Sequence, residues 1–260
     1  MDTVALTPFR TSPDRFPHLS RAPIAEATIE IRARAVAKWE EAIVRDALSR
    51  RLSDYPQVFQ RRQVQQQLVV RGSKAEHQVS DAGWTGLEFR SAHGKQVARF
   101  ERDAFSFARL RPYQRWEKFE SEVLRLWKIH CTIAQPTDIQ RVGVRFINRI
   151  QVPPGQLNID DYLVGGPHQP RGLDLHSVGF FHHDVVAIPG SEYNGNIIRT
   201  IQRPPNAQSG PVLILDIDIF TVQPAPVDEG VLKRRLVDMR WLKNKIFFGS
   251  ITSKTKELSE

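Results

Sequence analysis

Residues 138–152 read DIQRVGVRFINRIQV, and hydrophobic and polar side chains alternate along this stretch. Such alternation is typical of a β-strand that buries one face, because successive side chains of a strand point to opposite faces. The hydrophobic face carries Val142, Val144 and Phe146, and the opposite face carries Arg141, Arg145 and Arg149. We therefore expect a long, half-buried strand that ends before the Pro-Pro-Gly sequence at 153–155.

A second stretch, 24–34, alternates in the same way, and its polar face includes Glu26, Glu30 and Arg32. Weaker strand patterns follow at 58–71, 84–91, 96–102, 104–110, 173–181, 184–188, 196–203 and 212–222. Hydrophobic residues at helical spacing predict helices over 36–52, about 112–134 and 228–247, and one short helical turn over 158–163.

These elements predict an α+β fold, because short turns between strands favour an antiparallel sheet and the helices are few. Both halves follow the order strand, helix, four strands, helix, so we expect a duplicated layout and a curved antiparallel sheet with helices on one face. The expected divisions are an irregular lead (1–22), one domain of two similar halves (23–135 and 136–248) and a polar, frayed tail (249–260). This layout resembles the duplicated architecture of TATA-box-binding-type folds, a likeness that carries no function.

The net charge of +8 makes nucleic acid a candidate ligand, since most of the excess positive charge is arginine in residues 1–130. Arginine also serves as a general surface cation, so a solvated surface remains the alternative. Single-stranded nucleic acid needs exposed aromatic side chains for stacking. Phe89, Phe100 and Phe146 fall on the hydrophobic sides of their strands, whereas the pattern leaves Phe105 and Phe107 undecided.

Several classes of protein are disfavoured by composition. No hydrophobic run approaches the ~20 residues of a membrane-spanning helix. Cys131 is the one cysteine, which excludes a disulfide scaffold and favours a reducing cytoplasm. The polar start of the chain does not read as a targeting signal. We expect a cytoplasmic protein without membrane association, with Cys131 as a structural thiol.

No familiar catalytic motif is present, and we predict neither a catalytic residue nor a cofactor. Asp174, His176 and His182 share one face of a predicted hairpin, but we favour a solvated hairpin and predict no metal site there. A metal-dependent triphosphate hydrolase remains an alternative, with carboxylates for Mg²⁺ and the three strand arginines for phosphates. Its carboxylates would be Glu26, Glu30, Asp216 and Asp218, although their spacing departs from the pattern of tunnel-type hydrolases.

We predict a face that binds a ligand or a partner, drawn from the polar sides of the strands. Its residues are Arg141, Arg145, Asn148, Arg149, Glu26, Glu30, Arg32, Asp216 and Asp218. Cross-strand ion pairing on a wet sheet surface explains the same charges without any ligand. Asn148 is the exception, because it falls on the hydrophobic face and must form hydrogen bonds there. It either fixes a neighbouring loop or orients a ligand.

Four stretches together resemble a sporadically distributed, uncharacterised family of prokaryotic proteins of about this length. They are APIAEA at 22–27 leading into IEIR at 29–32, FARLRPYQRW at 107–116, VRFINRI at 144–150, and the last helix with KIF at 245–247 and SIT at 250–252. A histidine expected near the end of that helix is missing from 241–244. The resemblance implies no established activity, but the patchy distribution implies mobile elements that carry toxin–antitoxin or anti-phage modules.

The sequence therefore predicts a non-enzymatic binding component of a bacterial defence or toxin–antitoxin module. Its expected partner is another protein, such as a toxin, a nuclease or a phage component. The first alternative is a nucleic-acid-binding protein that uses the arginine-rich N-terminal half. The second is the metal-dependent triphosphate hydrolase with a charged sheet cavity.

Overall fold

The computed structural model describes residues 16–71, 74–155, 157–166, 179–203 and 210–260, with the backbone alone between 64 and 82. Its longer strands are β1 (Ile24–Ala35), β2 (Gln57–Arg71), β3 (Lys74–Arg90), β4 (Gln96–Glu101), β5 (Ala104–Leu110), β6 (Pro136–Gln151), β7 (Phe181–Ala187), β8 (Tyr193–Gln202) and β9 (Val212–Thr221). A two-residue strand, β10 (Ala225–Pro226), follows. The helices are α1 (Glu41–Ser49), α2 (Trp116–Ala134), α3 (Glu229–Ser250) and α4 (Ser253–Glu257), and Ile159–Asp161 form one 3₁₀ turn.

The strands form one antiparallel sheet in the order β2-β3-β4-β5-β1-β6-β9-β8-β7, and β10 pairs with β6. The prediction of an α+β fold with an antiparallel sheet is confirmed. The two alternating stretches that define the sequence pattern, β1 and β6, lie side by side near the middle of the sheet, with Ile29 opposite Val144.

One face of the central strands is fully buried. Ala27, Ile29 and Ile31 of β1 line up with Val142, Val144 and Phe146 of β6, and none of the six is exposed. Helix α2 packs on this face, since Trp127 contacts Phe105 of β5 and Trp116 stacks on Phe146. Helix α3 approaches the same strand, because Lys243 lies over the Phe146 ring. Phe105 and Phe107, which the pattern left undecided, belong to this core.

Several element boundaries differ from the prediction. Helix α1 is shorter than 36–52, and α2 begins at Trp116 rather than near Pro112. Residues 111–115 instead run as irregular chain between β5 and α2. Strand β3 begins ten residues earlier than the predicted start at 84, because it pairs with the whole length of β2. Most of the predicted strand 173–181 lies outside the described residues.

The frayed tail that we predicted is wrong. Helix α3 continues to Ser250, and α4 follows after Thr252, whose side chain accepts a hydrogen bond from the Thr255 backbone. Thr255 is fully buried and donates from its hydroxyl to the carbonyl of Tyr162. The Ser259 carbonyl accepts from the Arg21 backbone, so the C-terminal segment fastens the N-terminal lead. Pattern alone missed this because the contacts are made by small polar side chains and backbone.

Among the helices of the described ranges, none combines the length and the hydrophobicity that crossing a lipid bilayer requires.

We predict that Ile217→Ala lowers the free energy of unfolding by about 2–5 kcal/mol, because Ile217 is fully buried in β9 and its truncation leaves a cavity. The matched control is Val237→Ala on α3. Because the Val237 side chain is half exposed, this substitution should lower the free energy of unfolding by no more than about 0.5 kcal/mol. Urea denaturation of both variants measures the difference. Equal losses in the two variants would contradict the placement of the core.

Candidate functional site

The polar face of the sheet holds an ion-pair network around Arg141 and Arg145 of β6. Arg141 donates to Glu30 of β1 at 2.6 Å and lies 3.3 Å from Asp218 of β9, so it joins three adjacent strands. Arg145 forms a two-pronged contact with Asp216, with its Nε 2.9 Å and its Nη2 2.5 Å from the carboxylate oxygens. The structure thus brings these five predicted residues together.

The remaining predicted residues of this face are less connected. Glu26 accepts a hydrogen bond from Thr28, and Arg32 pairs with Glu30 at 3.1 Å while largely exposed. Arg149 follows the same face of β6 but makes no side-chain ion pair with any residue that the structure describes. Farther along the sheet, Glu88 accepts from both Arg90 and Arg99, a cluster that the predicted set did not include.

Burial shapes the electrostatics of this face. Burial raises the pKa of Asp218, and the Arg141 charge and an amide hydrogen bond from Asn196 act against that rise. Asp216 is only 8% exposed, whereas its partner Arg145 is half exposed. A cavity of about 330 Å³ lies among Glu26, Glu30, Arg61, Arg99 and Arg141, but most of its charges are satisfied within the protein. This pattern is what cross-strand pairing produces on a wet sheet surface.

The structure provides no metal cluster in the residues it describes: no three His, Cys, Asp or Glu side chains are grouped to hold an ion. Asp174 and His176 lie outside the described residues, and His182 contacts Asp184 at 3.2 Å. Three of the four carboxylates assigned to Mg²⁺ in the hydrolase alternative form ion pairs instead: Asp216 with Arg145, and Glu30 and Asp218 with Arg141. Cys131 is partly buried, and burial raises the pKa of its thiol to about 12, as suits a structural thiol.

A larger cavity, about 860 Å³, lies where Asn148 emerges on the other face of β6. Its walls are residues 16–24, the irregular chain 111–115, the start of α2 and the last turns of α3. The volume lies within the ~300–1,000 Å³ range of small-molecule sites. We call it the cationic cavity, because its described charged lining is Arg21, Arg111, Arg115, Arg240 and Lys243 against Glu117 alone.

Lys243 is the central cation of this cavity. Its ammonium lies 4.1 Å from the centre of the Phe146 ring and has no hydrogen-bond acceptor or carboxylate partner among the described residues. Burial, together with the positive charge of Arg240, lowers the pKa of Lys243 from its ordinary value of 10.5 to about 7. A lysine amine in such surroundings is stabilised by any anion that enters the cavity.

The arginines of the cavity differ in their partners. Arg240 lies over the Trp116 ring and pairs with Glu117 at 3.0 Å, which fixes the guanidinium at one wall. Arg21, Arg111 and Arg115 are exposed and make no ion pair with a described residue. Because the one acid of the lining is paired with Arg240, the cavity keeps a positive excess.

The start of α2 adds backbone donors to the same wall. Arg115 precedes the helix in an extended conformation and its side chain makes no capping hydrogen bond, whereas the Glu117 carboxylate accepts one from its own backbone N–H. The first N–H groups of a helix have no partner within the helix and favour negative charge. Arg115, Trp116 and Glu117 all line the cavity, so this helix start faces the same space as Lys243.

Asn148 is 2% exposed and forms hydrogen bonds through its amide nitrogen. The Nδ2 group donates to the carbonyl of Leu215 at 3.0 Å and more weakly to that of Phe146 at 3.3 Å. Its partners therefore belong to β9 and to its own strand. Our first interpretation, that Asn148 fixes a neighbouring loop, is wrong. Asn148 also lines the cationic cavity, which leaves its second interpretation, that it orients a ligand, open.

The predicted set of site residues is thus split between two faces, with Asn148 on one and the rest on the other. The pattern missed Lys243, Arg240 and Arg115. The local sequence does not distinguish a cation that lines a cavity from one on the surface. The four stretches that carry the predicted family resemblance all reach the cavity, since each contributes a residue to its lining: Ile24, Pro112, Asn148 and Phe247.

We predict that Arg145 and Asp216 are energetically coupled. Asp216→Asn and Arg145→Met should each destabilise the protein, and the double variant should recover part of the loss. The coupling free energy from a double-mutant cycle of urea denaturation should be about 1 kcal/mol, since Asp216 is buried and Arg145 half exposed. Additive effects would contradict the pairing.

We also predict that Lys243→Met stabilises the protein at pH 6. The lowered pKa means that the protonated amine is disfavoured in the folded state, so the penalty is complete below about pH 7. This penalty decreases as pH rises above 7, and it vanishes above the pKa of the lysine in the unfolded chain, near 10.5. The gain in melting temperature should therefore be larger at pH 6 than at pH 9.5, whereas Lys233→Met on the exposed side of the same helix should show no such difference. A gain that did not depend on pH would contradict this origin.

Comparison of the chain with protein-family models, with curated proteins and with solved structures gave no match. The family resemblance of the four stretches stays a prediction.

Proposed function

We propose that this protein acts by binding, and that it binds an anionic group in the cationic cavity. The observation that carries the proposal is the Lys243 amine, which faces the cavity without an acidic partner among the described residues. A partly buried cation without a counter-ion is costly, and an incoming phosphate or carboxylate removes that cost. The anion belongs either to a small molecule or to an acidic group of a partner protein.

The converging cations support the same proposal. Arg21, Arg115 and Lys243 come from three separate segments: the lead before β1, the chain before α2 and the end of α3. The charge of Arg240 already disfavours the protonated amine of Lys243, and an anion bound in the cavity relieves that repulsion. The start of α2 adds the positive end of the helix to the same side.

The polar sheet face is a weaker candidate. Its central arginines are already neutralised by Glu30, Asp216 and Asp218, so a ligand would have to displace ion pairs. The same pairing weakens the triphosphate hydrolase alternative, which needs free carboxylates for a metal ion. The nucleic-acid alternative finds little support there, because Phe89, Phe100 and Phe146 are fully buried and offer no ring to a base.

The biological setting of this binding activity rests on the family resemblance alone. That resemblance supports a component of a bacterial defence or toxin–antitoxin module, with a toxin, a nuclease or a phage protein as partner. In such a module the cavity gives a physical means to sense a ligand, because a bound ligand would contact α2, α3 and the N-terminal lead together.

We propose further that the chain is a duplicated unit with helices on one face of the sheet. The strand order supports it, since β1 and β6 meet at the centre, β5, β4, β3 and β2 continue on one side, and β9, β8 and β7 on the other. Each half then ends with a long helix, α2 or α3. The cationic cavity lies beside the junction of the two halves, a usual place for a ligand site.

We predict that inorganic tripolyphosphate binds the purified protein and that Lys243→Met weakens the affinity at least roughly tenfold, through loss of a charge-assisted contact. Isothermal titration calorimetry at low salt measures it. Lys233→Met, which removes the same charge from the exposed part of α3, is the matched control and should bind as the parent does. Absence of binding to the parent protein, or equal loss in both variants, would overturn the proposal.

We predict that this affinity falls as pH rises from 6 to 9. Lys243 attracts an anion only when protonated, and its pKa of about 7 in the free protein places the loss of charge within this interval. Lys243→Arg should bind tripolyphosphate with much less dependence on pH, because a guanidinium stays protonated throughout. A parent protein whose affinity did not change with pH would show that Lys243 does not contact the anion.

A further inference from the structure

The cationic cavity presents one strong hydrogen-bond acceptor among its cations, and this acceptor narrows the chemistry of the ligand. We infer that the ligand is a nucleoside phosphate, whose phosphates contact the cations and whose base or sugar donates a hydrogen bond to Oδ1 of Asn148. The inference rests on the proposed function and specifies its ligand. It requires a ligand with a negative end and a hydrogen-bond donor on an uncharged body.

The amide of Asn148 has a fixed orientation. Its Nδ2 group faces two backbone carbonyls, of Leu215 and Phe146, and carbonyls accept hydrogen bonds only. The nitrogen must therefore occupy that side, and Oδ1 points the other way. No described residue donates to Oδ1, although Asn148 is almost fully buried and lines the cavity. Oδ1 is therefore an acceptor that no described residue uses, and a ligand in the cavity can donate to it.

An inorganic anion does not satisfy this acceptor. Ionised phosphate and carboxylate oxygens only accept hydrogen bonds, so Lys243 attracts them and Oδ1 of Asn148 repels them. A fatty acid brings a charge and a hydrophobic body but no second donor. The amino groups of nucleobases and the hydroxyl groups of ribose are donors, and each is joined to phosphate in one molecule.

The walls of the cavity match such a divided ligand. Hydrophobic side chains form part of the lining, including Phe16, Leu19, Phe247 and Phe248, while the cations lie on α3, on the chain before α2 and on the lead. Tyr113 also lines the cavity, and burial raises the pKa of its hydroxyl, which therefore remains a donor at neutral pH. A volume of about 860 Å³ admits a base, a sugar and several phosphates, far more than a single inorganic ion needs.

The experiment compares ATP, GTP, CTP and UTP with tripolyphosphate, by calorimetry on the full chain. We expect at least one nucleoside triphosphate to bind about tenfold more tightly than tripolyphosphate, because it adds a hydrogen bond and a buried hydrophobic body. Asn148→Ala should weaken binding of the tightest nucleoside triphosphate by about threefold to tenfold, through loss of one hydrogen bond, whereas tripolyphosphate, which offers Oδ1 no donor, should not lose affinity. Asn196→Ala on the polar face is the matched control and should change neither affinity.

The possible outcomes separate this inference from the proposed function. If tripolyphosphate binds and no nucleoside triphosphate binds more tightly, the ligand class is wrong and the anion site stands. If none of the compounds binds, both proposals are wrong. Should Asn148→Ala fail to fold, the parent protein still decides through analogues of the tightest nucleotide that lack the base amino group or the ribose hydroxyls. We expect at least one of these missing groups to weaken binding, and equal affinity for all analogues would overturn the inference.

Discussion

The pairing of β1 with β6 is the interaction on which the rest of the structure depends. These two alternating strands run antiparallel through the middle of the sheet, and their register places Ile29 opposite Val144 and Thr28 opposite Arg145. Hydrophobic side chains therefore meet on one face and charged side chains on the other. Each strand then takes a different second neighbour, β5 or β9, so this one pair joins the two halves of the chain.

Both candidate sites arise from the two faces of β6. Residues 141 and 145 enter the ion-pair network, and residues 146 and 148 point to the helices, so a shift of one residue would exchange the two sets. The hydrophobic core opposes such a shift, because it would bury Arg145 and expose Phe146. Asn148 departs from the hydrophobic rule of its face at the position where the core ends and the cationic cavity begins.

Sequence pattern predicted what depends on local alternation and little that depends on distant contacts. The α+β class, the antiparallel sheet and the faces of β1, β6 and β9 follow from a period of two residues. The ordered C-terminal segment does not, because it is held by single hydrogen bonds such as that from Thr255 to Tyr162. The role of Lys243 could not be predicted either, because its surroundings come from β6 and from the chain before α2, which lie far away in the sequence.

Lys243 also shows why the cationic cavity is better explained by a ligand than by stability. A methionine at this position would cover Phe146 without the desolvation of a charge, whereas the lysine lowers stability at neutral pH, by the direction of its pKa shift. Oδ1 of Asn148, to which no described residue donates, lines the same cavity as this amine. A single ligand with an anionic end and a hydrogen-bond donor contacts both, and sites where a protein departs from its own folding rules are where function is expected.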